Sequence, residues 1–277
     1  FSQDAAADAA LGLTAVGSTY SIDAINAYIK THCLAMSAPK RKRNRLGVVS
    51  KLANFAAAKL AAQNLASSRV ALMFQQSKAV GGDGSIKTYQ PWYSACIAAG
   101  MQAVGQYRSI TRKFANISGI TTVGGVSDFN PANLGQLEDA LLAGLLVLEA
   151  PQTGGFRFVS DQTTYSKDDN FVFNSLQVMH TADLIALDLA NSLDNFAVGK
   201  SISDITAAVI ASFVSTKMNQ YFSNRYTAPS VDAPAGYNSL AVNVNGPVAS
   251  VSVNIYPANA IYFVPITIDV SQASQSA

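Results

Sequence analysis

The chain has 277 residues and a mass of 29.1 kDa, enough for one large domain or two modest ones with a sizeable core. Charged residues make up 13%, about half the usual share, while aliphatic, aromatic and cysteine residues together reach 49%. This excludes a disordered tail or a charge-rich coiled coil, and a surface so poor in charge tends to be covered by something.

Apolar runs stay short of a membrane span, because the stretch 140–148 is broken by Gly144 and closed by Glu149. The chain opens Phe1-Ser2-Gln3-Asp4 with no charged-then-apolar leader, so a trimmed product is expected rather than one bearing a signal peptide. Cys33 and Cys96 are too few for a disulfide framework, and a reducing, cytoplasmic compartment is the simpler expectation. The net charge of +2 hides an asymmetry: residues 24–82 carry ten basic groups and no acid, whereas the rest of the chain is net acidic. Such a molecule can meet an acidic partner or steer head-to-tail contacts with its own copies. The densest basic run holds Lys40, Arg41, Lys42, Arg43 and Arg45. It reads as a solvated loop or as a contact to an acidic protein surface. The lack of interleaved aromatics and a pI of 8.5 weigh against nucleic acid.

In chain order, Ser21-Ile22-Asp23 predicts a helix start, with Ile22, Ile25, Ile29 and Met36 at helical spacing. Leu46–Val49 predicts a short strand, 50–65 an Ala-rich helix and Arg69–Phe74 a buried strand. A turn is expected at Gly81–Gly84, then a helix over 89–104 with Pro91 in its first turn. Residues 106–128 read as irregular, followed by a helix from Asn130-Pro131 towards Leu142. Strands over 145–148 and 155–159 complete an alternation that predicts α/β layering. The stripe Val172, Leu176, Met179, Ala182, Ala186, Leu189, Leu193 and Phe196 predicts one long amphipathic helix. A second helix is expected from Ser201, and a connector over 227–237. The period then changes to two: Val251, Val253 and Ile255, then Tyr262, Val264, Ile266, Ile268 and Val270, predict a closing antiparallel pair with a polar carboxyl-terminal tail. Pro265 favours an edge position there.

A search for chemistry finds little. Gly199-Lys200-Ser201 imitates a phosphate-binding loop but lacks its upstream glycine and strand, and reads as a helix–helix turn. Gly81-Gly82-Asp83-Gly84 lacks the third glycine of a dinucleotide fingerprint. Neither His32 nor His180 has a second ligand at helical spacing, so no metal site is expected, and both cysteines read as buried and structural. Asp168 and Asp169 read as charges facing a helix N-terminus. No catalytic residue and no cofactor are expected.

The stretch Gly155-Phe156-Arg157-Phe158-Val159-Ser160-Asp161-Gln162-Thr163-Thr164-Tyr165, then Phe171–Asn174, then 178–189, resembles the sheath proteins of contractile phage tails and pyocin-like injection systems. In that family a strand ending in an Asn-Thr-Thr-Tyr-like motif precedes a long helix, and Gln162 stands here where Asn is common. The segment 98–113 and the closing strands extend the resemblance over roughly 90–272. The resemblance implies a mixed α/β fold and two parts, 1–150 and a conserved core over 151–277. It implies a structural subunit, not an enzyme, that polymerises around an inner tube and contracts to drive it through an envelope. Its partners would be copies of itself, the inner tail tube protein and a baseplate, within a virion assembled in the host cytoplasm. Residues Tyr262, Val264, Ile266, Ile268 and Val270 are then the candidates for strand exchange between subunits, and Lys40, Arg41, Lys42, Arg43 and Arg45 for a contact to tube or neighbour. Two rival readings are an α/β small-molecule binding protein or enzyme built around 106–128 and Gly81–Gly84, and another capsid or baseplate component.

Overall fold

The structure is a computed structural model that describes residues 15–16, 19–38, 43–105, 108–121, 128–166, 173–201, 204–245 and 248–258. A hairpin of β1 (Ala15–Val16) and β2 (Thr19–Tyr20) leads into helix α1 (Ile22–Met36), with Ser21 at the N-cap position but making no side-chain capping bond. The chain continues through β3 (Gly47–Ser50), α2 (Phe55–Leu65) and β4 (Val70–Met73).

Strand β4 reads Val-Ala-Leu-Met, and all four side chains are fully buried. An unbroken apolar run is what a parallel strand covered on both faces needs. It pairs in parallel with β3 on one side and with β9 (Leu145–Leu146) on the other. Because successive side chains point to opposite faces, the three strands feed two cores. Val70, Leu72, Phe74, Leu145 and Val147 pack beneath α2 and α4 (Leu134–Leu142), where Phe55, Phe74 and Phe129 form an aromatic cluster. Ala71, Met73, Leu146 and Leu148 face the other way, against α3 (Pro91–Val104) and the segment around Ile110 and Ala115. The expected α/β layering is therefore present, with helices on both sides of a small parallel sheet.

Two antiparallel patches flank it. One has the order β6 (Ile86–Tyr89), β5 (Gln76–Val80), β8 (Gly119–Thr121); the other has β10 (Leu148–Glu149), β11 (Phe156–Phe158), β7 (Phe114–Ala115). Where the chain leaves the parallel sheet, the buried Gln75 side chain takes over the pairing. Its Oε1 accepts from the Leu148 N–H at 2.7 Å, and its Nε2 donates to the Leu148 carbonyl at 3.0 Å. The long helix α5 (Leu176–Ala197), helix α6 (Ala207–Ser223) and the ribbon β12 (Tyr237–Asn245) with β13 (Val248–Ile255) enclose a third core. Ile185, Leu189, Ile210, Val214 and Met218 meet Val242, Val244, Val251 and Val253 there.

Several expected boundaries move, each for a local reason. Helix α2 begins at Phe55, not near Ser50, because Lys51 extends the ladder to the Met73 carbonyl and Asn54 caps the helix by accepting from the Ala57 N–H. Helix α4 begins at Leu134: Asn133 is its cap, and Asn130-Pro131 forms the preceding turn. Helix α6 begins at Ala207 behind the Thr206 cap, not at Ser201. The hairpin β5–β6 joins across the expected Gly81–Gly84 turn, but its strands carry no clean apolar alternation. Short strands β7 and β8 likewise lie in the stretch expected to be irregular. The partner of β13 among the described residues is β12, where a connector was expected to end, while the 262–270 segment lies outside the described residues.

Gly144 turns α4 into β9 with a φ of +79°, and a Cβ there would stand 2.7 Å from the Thr163 carbonyl oxygen and 2.8 Å from the Thr164 Cα. Gly144→Ala is expected to cost roughly 2 kcal/mol or more in urea unfolding, since backbone on both sides must move. Gly100→Ala, in open space on helix α3, is expected to stabilise by roughly 0.5–1 kcal/mol.

Candidate functional site

The motif that carried the resemblance is a junction between the sheet and the long helix. Asp161, with no solvent exposure, accepts on Oδ2 from Ser175 Oγ at 2.9 Å and from the Gln177 N–H at 3.1 Å, and its carbonyl accepts from the Leu176 N–H. A buried carboxylate thus meets the N-terminal amides of α5, where it complements the positive end of the helix dipole. Asp168 and Asp169, expected in that role, lie outside the described residues, and no acid stands in the first turn of α5. Thr163 Oγ1 donates to the Phe173 carbonyl at 2.7 Å, and the Thr164 N–H donates to the Val70 carbonyl at 2.7 Å. Thr164 Oγ1 also bonds both the carbonyl and the N–H of Ser67. The two threonines therefore stitch the start of α5 to the entry of β4.

A second clamp lies two turns along. Arg69, just ahead of β4, holds Asp183 of α5 bidentately at 2.6 and 2.8 Å, with side-chain exposures of 14% and 11%. Asn44 adds a bond from its side chain to the Asp183 carbonyl, which moors the end of the basic run. Arg43 and Arg45 are exposed, while Lys40, Arg41 and Lys42 lie outside the described residues. His180, one turn before Asp183, has Nδ1 3.3 Å from Nε2 of Gln102 on α3. Burial lowers its pKa below the ordinary imidazole value, an effect that Asp183 partly opposes. Cys33 is buried and its thiol pKa is raised by desolvation, opposed by Arg69 and Arg45. Cys96 is exposed, contrary to expectation, because it lies on the outer side of α3.

The ribbon β12–β13 is the third component. Its inner side chains pack on α5 and α6, while Asn243, Asn245, Ser250, Ser252 and Asn254 form an exposed face. A bulge between Asn238 and Ala241, with Ser239 at a φ of +54°, inserts one extra residue into β12. Beyond their mutual pairing, both strands have unpaired long edges among the described residues. No charged residue occurs between Asp232 and Asp269, so the edges lack the lysines that normally discourage strand addition. This uncharged stretch was a signal available in the sequence. The strand-exchange candidates Tyr262, Val264, Ile266, Ile268 and Val270 lie within it but outside the described residues.

Among the described residues no group of three or more His, Cys, Asp and Glu converges, and no helix is long and apolar enough to cross a membrane. A cleft of about 580 Å³ opens between the end of α5, the start of α6 and the tip of the ribbon, lined by Leu193, Val198, Ile205, Val244 and Val251. Gly199-Lys200 forms its rim as a helix–helix turn and not as a phosphate loop.

Solved structures share this fold over most of the chain. The sheath tail protein of Desulfitobacterium hafniense superposes with a TM-score of 0.58 at 14% identity, over 85% of this chain and 54% of that one. The contracted helical sheath of the anti-feeding prophage gives 0.60 at 11% identity, over 89% and 66%. The chain carries the fold of the contractile sheath proteins. In sequence, this sheath-fold chain is 26% identical over 167 residues to a protein of Enterococcus phage phiEF24C whose name places it among tail sheath proteins, covering 60% of the chain. It is 21% identical over 203 residues to the tail sheath protein of Bacillus phage SP01, covering 70% of the chain. It spans only 27% and 36% of those two relatives' own lengths. No family model matches the sequence.

The junction residues of this sheath fold give two expected outcomes. Asp161→Ala leaves Ser175 Oγ and the Gln177 N–H without their buried acceptor, so unfolding stability should fall by about 3 kcal/mol in a denaturant titration. Because the His180 pKa is lower folded than unfolded, stability is full above the unfolded value and drops as pH falls below about 6.5, where the unfolded chain takes up the proton first. His180→Gln should flatten that part of the stability–pH curve.

Proposed function

We propose that the chain is the assembly-bearing part of a structural sheath subunit. The subunit polymerises around an inner tube, docks on a baseplate and contracts to drive the tube through a target envelope. The observation that carries this reading is the uncharged ribbon β12–β13, seated on α5 and α6 with its long edges unpaired among the described residues. An extended segment can add to such an edge through main-chain N–H and C=O groups alone. The donor is the alternating segment Tyr262, Val264, Ile266, Ile268 and Val270 of a neighbouring copy. Strand pairing of this kind holds two bodies together while the bodies rotate, so contraction is a rigid-body change between two packings of the same subunits. The clamps Asp161–Ser175 and Arg69–Asp183 keep each body rigid as it turns.

The basic group Lys40, Arg41, Lys42, Arg43 and Arg45 supplies the contact to an acidic tube or neighbouring subunit. Work of this kind rearranges contacts and breaks no covalent bond, so the subunit acts without a catalytic group and belongs to the virion, assembled in the host cytoplasm. Deleting 259–277 is expected to abolish polymers in negative-stain images while leaving the far-UV circular dichroism of a folded core. Introducing Ser250→Lys with Ser252→Lys should raise the concentration needed for polymerisation about tenfold or more, by placing charges beside the open edge. Unchanged polymers in both variants would exclude strand addition at this ribbon.

A further inference from the structure

Two exposed surfaces outside the ribbon face opposite ways and match in chemistry. The first is the outer side of helix α4. Leu134 and Leu142, with exposures of 78% and 71%, lie two helical turns apart with Glu138 midway between them. Leu137 and Leu141 meanwhile pack inward on the first core, so this helix is apolar on both sides. A helix of that kind is normally covered on both sides. Asp139 adds a second carboxylate, bridged at 3.2 Å to Lys59 of α2, whereas Glu138 has no ion pair among the described residues.

The second surface is the outward face of the patch β10–β11–β7. Phe114 is 56% exposed, and its ring lies against Gly155, where an added Cβ would approach it to 3.0 Å. Arg157 stands directly opposite Phe114 across the strand pair, and the guanidiniums of Arg112 and Arg157 both engage Glu149. Arg108 and Lys113, close to Arg112 and Phe114 along the chain, are exposed and without an ion pair among the described residues. The patch therefore offers four cationic groups against one carboxylate around a fixed aromatic ring.

Helix α4 packs on one face of the parallel sheet, and the segment bearing Phe114 belongs to the core on the other face. Two different, complementary surfaces on opposite sides of one body make a head-to-tail contact that repeats from copy to copy, as a ring or as a helical array. We propose that the acidic leucine face of α4 docks on the basic Phe114 face of a second copy of this chain, with Glu138 meeting Lys113 or Arg108. The contact rests on the self-association proposed above but uses neither the ribbon nor the carboxyl-terminal segment.

Charge reversal tests it in the full-length protein, with polymer formation followed by sedimentation and electron microscopy. Lys113→Glu alone and Glu138→Lys alone should each raise the concentration needed for assembly about tenfold, since like charges placed face to face across an interface are strongly repelled. The two changes combined should restore assembly close to that of the unaltered protein. Polymers that ignore both single changes, or losses that simply add in the combined variant, would overturn this contact and leave the sheath reading standing. Failure of the unaltered full-length protein to polymerise, with or without the inner tube, would remove both. Circular dichroism of each variant confirms that these surface changes leave the fold intact.

Discussion

A carboxylate sealed from water, Asp161, fixes how the two halves of the described structure relate. Burying an ionised group is tolerable only where donors converge on it, and here they are the Ser175 hydroxyl and the amides that open α5. The helix must therefore start at that point and in that direction. Once it does, the 22 residues of α5 carry the chain from the core beneath the sheet, where Leu176 is buried, to the core beneath the ribbon, where Ile185 and Leu189 are buried. Arg69 then holds Asp183 from the sheet side, so the helix is fastened at two points and cannot pivot about its cap. Thr163 and Thr164 close the same joint with both backbone and side chain: their N–H groups donate to the Asn174 and Val70 carbonyls, and their hydroxyls donate to the Phe173 and Ser67 carbonyls.

Rigidity at that joint contrasts with openness elsewhere. The ribbon presents small, uncharged side chains and edges unpaired among the described residues, where a free monomer would be expected to carry charged side chains. Helix α4 and Phe114 leave large apolar groups in water. The low charge content of the chain acquires a location in the ribbon: no charged residue guards the strands that the proposed assembly would cover. A rigid body with adhesive strand edges is what a lattice needs if it is to change its packing without unfolding its parts.

Parts of this design were legible in the residues. The run Val70–Met73 announced a strand buried on both faces, because nothing in it could face water. The stripe from Val172 to Phe196 announced a long helix, because its spacing admits one periodic structure, and the described helix starts at Leu176 behind the Ser175 cap. Helix starts were less legible. Ser50, Asn130 and Ser201 are all plausible caps by type, and only the backbone path selects Asn54, Asn133 and Thr206. Strand β12 was missed because Asn and Ala dilute its alternation and a bulge at Ser239 breaks its period. The hairpin β5–β6 escaped for a similar reason, since Val80 and Ile86 pair on an exposed face.

Composition and periodicity by themselves determined the layered α/β class, the buried strand, the spine helix and the low charge content, because each is a one-dimensional property of the chain. They could not place Asp161 against Ser175, Arg69 against Asp183, or the α4 and Phe114 faces on opposite sides of one sheet. Those pairs lie from 14 to 114 positions apart or on separate elements, and their meeting depends on how helices and strands pack. Periodicity reports which side of an element is apolar. Only the three-dimensional arrangement decides what that side touches, and which sides are left for another molecule to cover.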